Sequence, residues 1–297
     1  MSEERSRRPA CSATATEGDR IAPTAHYTAY AWFRLGLPYA EWFKTARGAR
    51  MHLAFRGTEW LAACVSGTPS LLQYLEYRHR AIDHRLTARR PGRVVELGAG
   101  LSRRGTTWAL DHGASYVELD LAPMIAAKER HLAKLDKSVR LRLTRLLRLE
   151  VADVLAATFV NQLTEALRGA ERPVVIAEGL LGYFDFDERE RLARAIATAL
   201  RQSGGGHFLC DLRSRPSKRA GRVAVSALKA AIRVVTRGRG AREDFPSREV
   251  IRERFLSFGF DEANVCPASE VPELGHLAGL ELPVDVWQFE VKPRGLS

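Results

Sequence analysis

The sequence predicts an α/β protein: a mostly parallel sheet with helices on both faces, preceded by an N-terminal helical cap. Three observations carry this. From residue 93 onward, short β-branched runs alternate with helix-length amphipathic stretches, the pattern of strands joined by crossover helices. One of those runs, Pro173-Val174-Val175-Ile176-Ala177, is apolar throughout, as a strand covered on both faces must be. Ahead of them, residues 19–90 are rich in aromatic residues and helical in spacing. The length of 297 residues fits two domains at most, at about 150 residues each, or one α/β domain with an appended cap.

The elements follow in order. Residues 1–18 are mostly Ser, Thr, Ala, Arg and Glu without an apolar period, and are expected to form a mobile tail. Within the cap, residues 19–90, Leu72, Leu75, His79, Ile82 and Leu86 mark one helix face. Leu71, Leu75, Arg78 and Ile82 form an adjacent stripe, and Pro91-Gly92 stops the helix. The core, residues 91–297, opens with a strand at Arg93–Leu97. A helix over Thr106–His112, ended by Gly113, leads to a strand at Ser115–Leu119. Next come a helix over Ala122–Lys134, a strand at Leu147–Val151 and a helix over Phe159–Leu167. After the strand at Pro173–Ala177, Asp187 with Glu190 reads as a capping box, for a helix burying Leu192, Ile196, Ala199 and Leu200. Gly204-Gly205-Gly206 breaks it before a strand at His207–Asp211. A basic segment, residues 213–245, interrupts the alternation as an insertion. Ser247 caps a helix with Ile251, Phe255 and Phe258 on one side and Gly259 at its end. Trp287, Phe289 and Val291 alternate with polar residues as a final strand.

Composition narrows the function classes. With 45% hydrophobic and 27% charged residues, the chain is neither fibrous, low-complexity nor disordered. Its four cysteines lie far apart without a CxxC pair, so neither a disulfide framework nor a metal site is expected, and the plain setting is cytoplasmic. The longest apolar stretch, Pro173 to Phe184, falls short of the roughly 18 residues of a membrane helix and contains Glu178. Arg5, Arg7 and Arg8 are followed by no apolar region, so no secretory signal is expected. The net charge of +11 is spread out, with a local peak between Arg213 and Arg242. It reads as a solvated basic surface. An RNA-binding alternative would require steeply salt-dependent affinity and has no RNA-binding motif behind it.

Ligands of open α/β sheets bind at the carboxyl ends of the strands, beside the point where strand order reverses. The residues just past each strand are therefore the candidates. Glu96-Leu97-Gly98-Ala99-Gly100 follows the first, Asp120 the second, Asp153 the third, and Glu178-Gly179 the fourth. Gly98 and Gly100 let the backbone approach a ligand at a helix start. Asp120 stands where a carboxylate accepts hydrogen bonds from ribose hydroxyls; the alternative is a helix N-cap, since Pro123 falls near the first turn. Glu96 is placed to orient the backbone N–H groups of the turn, or is a plain strand-end polar residue. A dinucleotide reading, hence an NAD-binding oxidoreductase, wants a third glycine where Arg103 stands, though an Arg103-Arg104 pair could meet a phosphate. That reading leaves Asp153 and Glu178 without a role, whereas S-adenosylmethionine uses both.

Three segments together carry a family likeness: Val94-Val95-Glu96-Leu97-Gly98-Ala99-Gly100, Val117-Glu118-Leu119-Asp120-Leu121, and Ala177-Glu178-Gly179-Leu180-Leu181-Gly182-Tyr183-Phe184. The chain resembles the leucine carboxyl methyltransferase family, including bacterial polyketide O-methyltransferases of the tetracenomycin type. The resemblance covers residues 70–212. It implies a seven-stranded Rossmann-like fold that binds S-adenosylmethionine. Carried over by motif, Gly98 meets the methionine part, Asp120 the ribose, and Asp153 with Val154 the adenine. Glu178 stands by the sulfonium or amino group, and Arg78 takes the cofactor carboxylate, with Arg80 as its rival. A lysine that the family carries near its amino end has no evident counterpart.

The implied reaction is transfer of a methyl group to a hydroxyl or carboxylate of a small molecule, with a protein carboxyl group as the alternative acceptor. A carboxylate is already ionised at neutral pH and needs no base, whereas a base for a hydroxyl is worth about 10²–10⁴ in rate. Tyr183, His26 and Tyr30 are the acceptor-side candidates, with Tyr27 and His207 behind them; no catalytic base is assigned.

Overall fold

The computed structural model describes residues 17–64, 69–215, 244–282 and 284–293. Residues 1–16 of the expected tail, residues 1–18, and most of the basic insertion, residues 216–243, lie outside them, while residues 17 and 18 are already helical. Seven strands form one sheet in the order β3-β2-β1-β4-β5-β7-β6. They are β1 Arg93–Leu97, β2 Ser115–Asp120, β3 Leu147–Val151, β4 Val174–Ala177, β5 Gly206–Leu212, β6 Glu262–Cys266 and β7 Asp285–Val291. Pairing is parallel from β3 through β5, and β7 runs antiparallel to both β5 and β6. The chain builds outward from β1 to β3, then returns to place β4 on the other side of β1. The strand order therefore reverses between β1 and β4, with the Gly98 turn beside it.

Alternation within the strands explains the layers. Val95, Leu97, Val117, Leu119, Phe208 and Phe289 face helices α7 (Phe159–Leu167), α8 (Phe186–Gln202) and α9 (Arg248–Ser257). Val94, Tyr116, Val174, Ile176, Leu209 and Val286 face the opposite layer, which includes α3 (Leu71–Arg89). Both faces are covered, so the parallel strands read as apolar runs. Ser70 starts α3 with a capping box to Gln73, and the predicted face of Leu75, His79, Ile82 and Leu86 is buried. Tyr77 pins α3 to the sheet: its hydroxyl donates to the Cys266 carbonyl (2.7 Å) and accepts from the Val286 N–H (3.2 Å). Helices α1 (Glu17–Arg34) and α2 (Ala46–Cys64) lie further out. Trp32 of α1 shares a small cluster with Phe43, Leu101 and Met124 near the strand tips.

Four details depart from expectation. The capping box of α8 is Asp185 with Glu188, not Asp187 with Glu190. The two boxes overlap in sequence, and the earlier one wins because it makes Phe186 helical, with its ring edge-on to Phe245 at 5.1 Å. The first core helix begins earlier, with α4 at Arg104–Thr107, and continues through Trp108–His112 as a wider π turn. Gly113 ends it at φ 62°. Helix α6 (Lys137–Leu146) was not anticipated: Arg140-Leu141-Arg142-Leu143 alternates like a strand, but folded as a helix it buries Leu143 and leaves Leu141 56% exposed. The unanticipated β6 is a short edge strand whose Glu262 and Asn264 blunt its apolar pattern. Among the described residues, no helix is long and apolar enough to cross a membrane.

Candidate active site

The turn after β1 is held open by two glycines. Gly98 (φ 61°) and Gly100 (φ 56°) adopt left-handed conformations. A Cβ on Gly98 would lie 2.9 Å from a Leu180 methyl, and one on Gly100 3.2 Å from Ala25 of α1. Asp120 fastens this turn to the end of β2. Its Oδ2 accepts the Gly100 N–H and its Oδ1 the Leu121 N–H, each at 2.7 Å. It is not a helix cap, because the N-cap of α5 (Ala122–Leu132) is Leu121. Burial raises the Asp120 carboxyl above its ordinary range, with the two N–H donors opposing. Orienting the turn thus falls to Asp120 and not to Glu96. The Glu96 carboxylate is spent on the Arg104 guanidinium (2.5 Å) and the Tyr116 hydroxyl (2.8 Å).

Beneath the turn lies a buried ionic network. Arg104 is fully buried and donates to Asp83 (2.6 Å), Glu96 and Glu178 (2.6 Å). Arg103 pairs with Asp83 and donates to His79 Nε2 at 3.1 Å. His79 Nε2 accepts from Arg103, and its Nδ1 lies 2.8 Å from Glu178 and 2.9 Å from Arg104; a proton on Nδ1 serves the Glu178 contact and leaves Arg104 to donate to its carboxylates. Burial pushes that imidazole down to about 4 and keeps it uncharged. Arg78 adds a third donor to Glu178 through Nε (2.9 Å). Burial opposes ionisation of Glu178, but His79, Arg104 and Arg78 together hold its carboxyl well below the usual range. Arg103 and Arg104 are therefore turned inward. They cannot serve as phosphate partners, which removes the support for a dinucleotide.

Above the network the tips of β1 to β5 and helix α1 enclose a cavity of about 610 Å³, within the roughly 300–1,000 Å³ span of small-molecule sites. It gathers every residue expected on the cofactor side: Arg78, Glu96, Gly98, Gly100, Asp120, Asp153, Val154 and Glu178. Asp153 is exposed at its rim, where its Oδ1 accepts the Leu155 N–H at 2.9 Å. Gly179, at φ 67°, has no room for a side chain: a Cβ there would lie 2.9–3.1 Å from the Arg78 guanidinium. This close approach explains the glycine after Glu178. Arg80 points elsewhere, to Glu76 on its own helix at 2.9 Å.

The acceptor-side candidates divide. Tyr183 lines the cavity, but its hydroxyl donates to Thr24 of α1 at 3.0 Å, tying that helix down. His26 and Tyr30 are not among the lining residues; His26 contacts Thr45 at 3.1 Å, and Tyr30 packs on Phe33 and His52. Tyr27 lines the wall, whereas His207 lies at the start of β5, away from the tips. Trp32 also lines the cavity, as do Tyr74, Asp211 and Arg213, which were missed. The strand-tip rule, carried on to the fifth strand, would have found the last two in Cys210-Asp211-Leu212-Arg213.

The model of the leucine carboxyl methyltransferase family matches residues 37–197, more than half of the chain. The chain belongs to the leucine carboxyl methyltransferase family. It is accordingly an S-adenosylmethionine-dependent methyltransferase. Two solved structures share the fold of this methyltransferase. One is a candidate methyltransferase from Thermobifida fusca, 14% identical, matched over 90% of this chain and 94% of that one with a TM-score of 0.55. The other is a candidate O-methyltransferase from Nostoc punctiforme, 13% identical, matched over 95% and 74% with a TM-score of 0.50. Comparison with curated proteins gives no match.

Proposed function

We propose that this methyltransferase transfers a methyl group to an oxygen, hydroxyl or carboxylate, of a small molecule, in the manner of an enzyme that tailors polyketide-type natural products. One observation carries the reading: the cavity is roofed by α1 and divided in character. Acids and glycines of the β1–β3 tips line it, and Leu71, Tyr74 and Leu75 of α3 with Phe184 supply an apolar wall. Such a wall suits a flat apolar acceptor better than a polar peptide terminus.

The residues present fit the cofactor. Asp120 would accept the ribose hydroxyls, since each oxygen holds one backbone N–H and keeps a further lone pair. Asp153 and Val154 would hold the adenine, and Gly98 the methionine chain. Arg78 would take the carboxylate with its terminal nitrogens, its Nε being committed to Glu178. When bound, S-adenosylmethionine supplies a methyl group already activated on sulfur. The protein's part is to orient the acceptor oxygen, exclude water and hold the charges still, which in intramolecular models is worth about 7–11 kcal/mol. Burial raises the Tyr74 and Tyr183 hydroxyls above their ordinary value, so both stay protonated and act as donors.

The test is transfer of label from methyl-tritiated S-adenosylmethionine into separated small-molecule and protein fractions of host extract. Label in the small-molecule fraction is expected, and alkaline release of volatile methanol would mark an ester against an ether. Label confined to protein carboxyl termini would contradict the proposal.

A further inference from the structure

On its β5 side, the cavity holds a guanidinium most of whose donors are unused among the described residues. Arg213 follows β5, and β5 is separated from β1, with its Gly98 turn, by β4. At the ordinary strand spacing of about 4.8 Å, this places Arg213 on the order of 10 Å across the tips from that turn. Its side chain is only 9% exposed, and its Nε donates to Asp244 at 3.0 Å. The two terminal nitrogens have no hydrogen-bond partner among the described residues. They face Gly182, where a Cβ would lie 3.6–3.7 Å away, so the glycine leaves the guanidinium edge open.

The residue is also fixed in place. The Phe245 N–H donates to the Arg213 carbonyl (3.0 Å), and the Arg215 N–H donates to the Phe245 carbonyl (2.9 Å). Backbone and guanidinium are thus held from both sides, which lowers the cost of ordering them on a ligand. A second donor shares the space. The Tyr74 hydroxyl accepts from Arg78 at 3.3 Å, and its own proton has no acceptor among the described residues. Burial raises that hydroxyl, with Arg78 and Arg213 lowering it and Asp211, which also lines the cavity, adding to the rise. A buried arginine with a free planar edge, beside a spare hydroxyl donor, is built for a carboxylate.

Resting on the proposed small-molecule reading, we infer that Arg213, assisted by Tyr74, binds a carboxylate of the methyl acceptor at the β5 side of the cavity, at the opposite end from the oxygen that is methylated. The acceptor class is then a flat hydroxy-acid or diacid carrying its anchoring carboxylate and its reacting oxygen at opposite ends. Arg213 in this role is a specificity residue, and no covalent step passes through it.

The probes are 6-hydroxy-2-naphthoate and its neutral amide, titrated by calorimetry into protein saturated with S-adenosylhomocysteine. The wild type is expected to bind the carboxylate about tenfold more tightly than the amide, the scale of one charge-assisted hydrogen bond. Arg213→Gln should bring the two within about twofold of each other while S-adenosylhomocysteine affinity stays within about twofold, the change being one of local charge. Arg213→Lys should keep part of the preference. The inference is overturned if the loaded wild type binds both probes alike or neither, or if Arg213→Gln keeps the preference. Should Arg213→Gln lose S-adenosylhomocysteine altogether, Arg213→Lys decides by the same comparison, an unchanged preference counting against the inference. Failure of the wild type to bind S-adenosylhomocysteine overturns the cofactor reading itself, and is seen in the first titration before either probe is added.

Discussion

Asp120 joins two functions in one carboxylate. It closes the Gly98–Gly100 turn through backbone N–H groups and offers its remaining lone pairs to the cavity. Asp120→Ala should weaken S-adenosylhomocysteine binding by about 5- to 150-fold, because the ribose hydroxyls lose their partner at a cost of about 1–3 kcal/mol; calorimetry measures it. Because burial raises its carboxyl, affinity should fall on acidification with a midpoint above the ordinary carboxylate range, and Asp120→Asn should flatten that dependence. Arg78 and Arg80 lie two residues apart on α3 but face different partners, Glu178 and Glu76. Arg78→Ala should weaken cofactor binding, whereas Arg80→Ala should not; equal losses would contradict the register of α3. That both residues would line one cavity was legible in the sequence, for Asp120 from its place after the second strand and for Arg78 from the family resemblance. What Glu96 does was not, because its partners Arg104 and Tyr116 belong to other elements.

At the scale of elements, Arg104 joins α3, β1 and the loop after β4 by holding Asp83, Glu96 and Glu178 at once. Replacing it with Met leaves three carboxylates without that partner. Arg104→Met should therefore cost about 3–5 kcal/mol of stability in urea unfolding, as breaking a buried ion pair does. A loss within the range of ordinary surface changes would refute the network as a structural keystone. The strands were readable wherever both faces are apolar, as in Val174–Ala177. The edge strand β6, with Glu262 and Asn264, and helix α6, where basic residues alternate with leucine, were not read. Periodicity sees the face an element buries, and both of these elements bury little.

For the whole molecule, the same network sets the response to acid. Burial opposes ionisation of Asp83, yet Arg103 and Arg104 pull its carboxyl down to about 2, below an unfolded value of about 3.9. A depressed carboxylate contributes stability above its unfolded pKa and loses it as pH falls through the folded one. Asp83 should thus contribute about 2 kcal/mol above pH ~4 and lose it between pH ~4 and ~2. Glu178, held low by His79, Arg104 and Arg78 against its burial, adds to the same slope. Urea unfolding across that window should show the decline, and Asp83→Asn should reduce its steepness. The overall architecture was foreseeable because strand–helix alternation and the strand-tip rule act over the entire chain. A cap was expected, but the tie between Thr24 and Tyr183 that holds α1 over the cavity was not, since its partners lie 159 residues apart.

A crystal structure with S-adenosylhomocysteine tests the central claim most directly. The ribose hydroxyls should bond to Asp120, the adenine should lie against Asp153 and Val154, and the amino-acid carboxylate should meet Arg78. Density for the ligand outside the β1–β4 tips, or with its adenine at the β5 end, would contradict it.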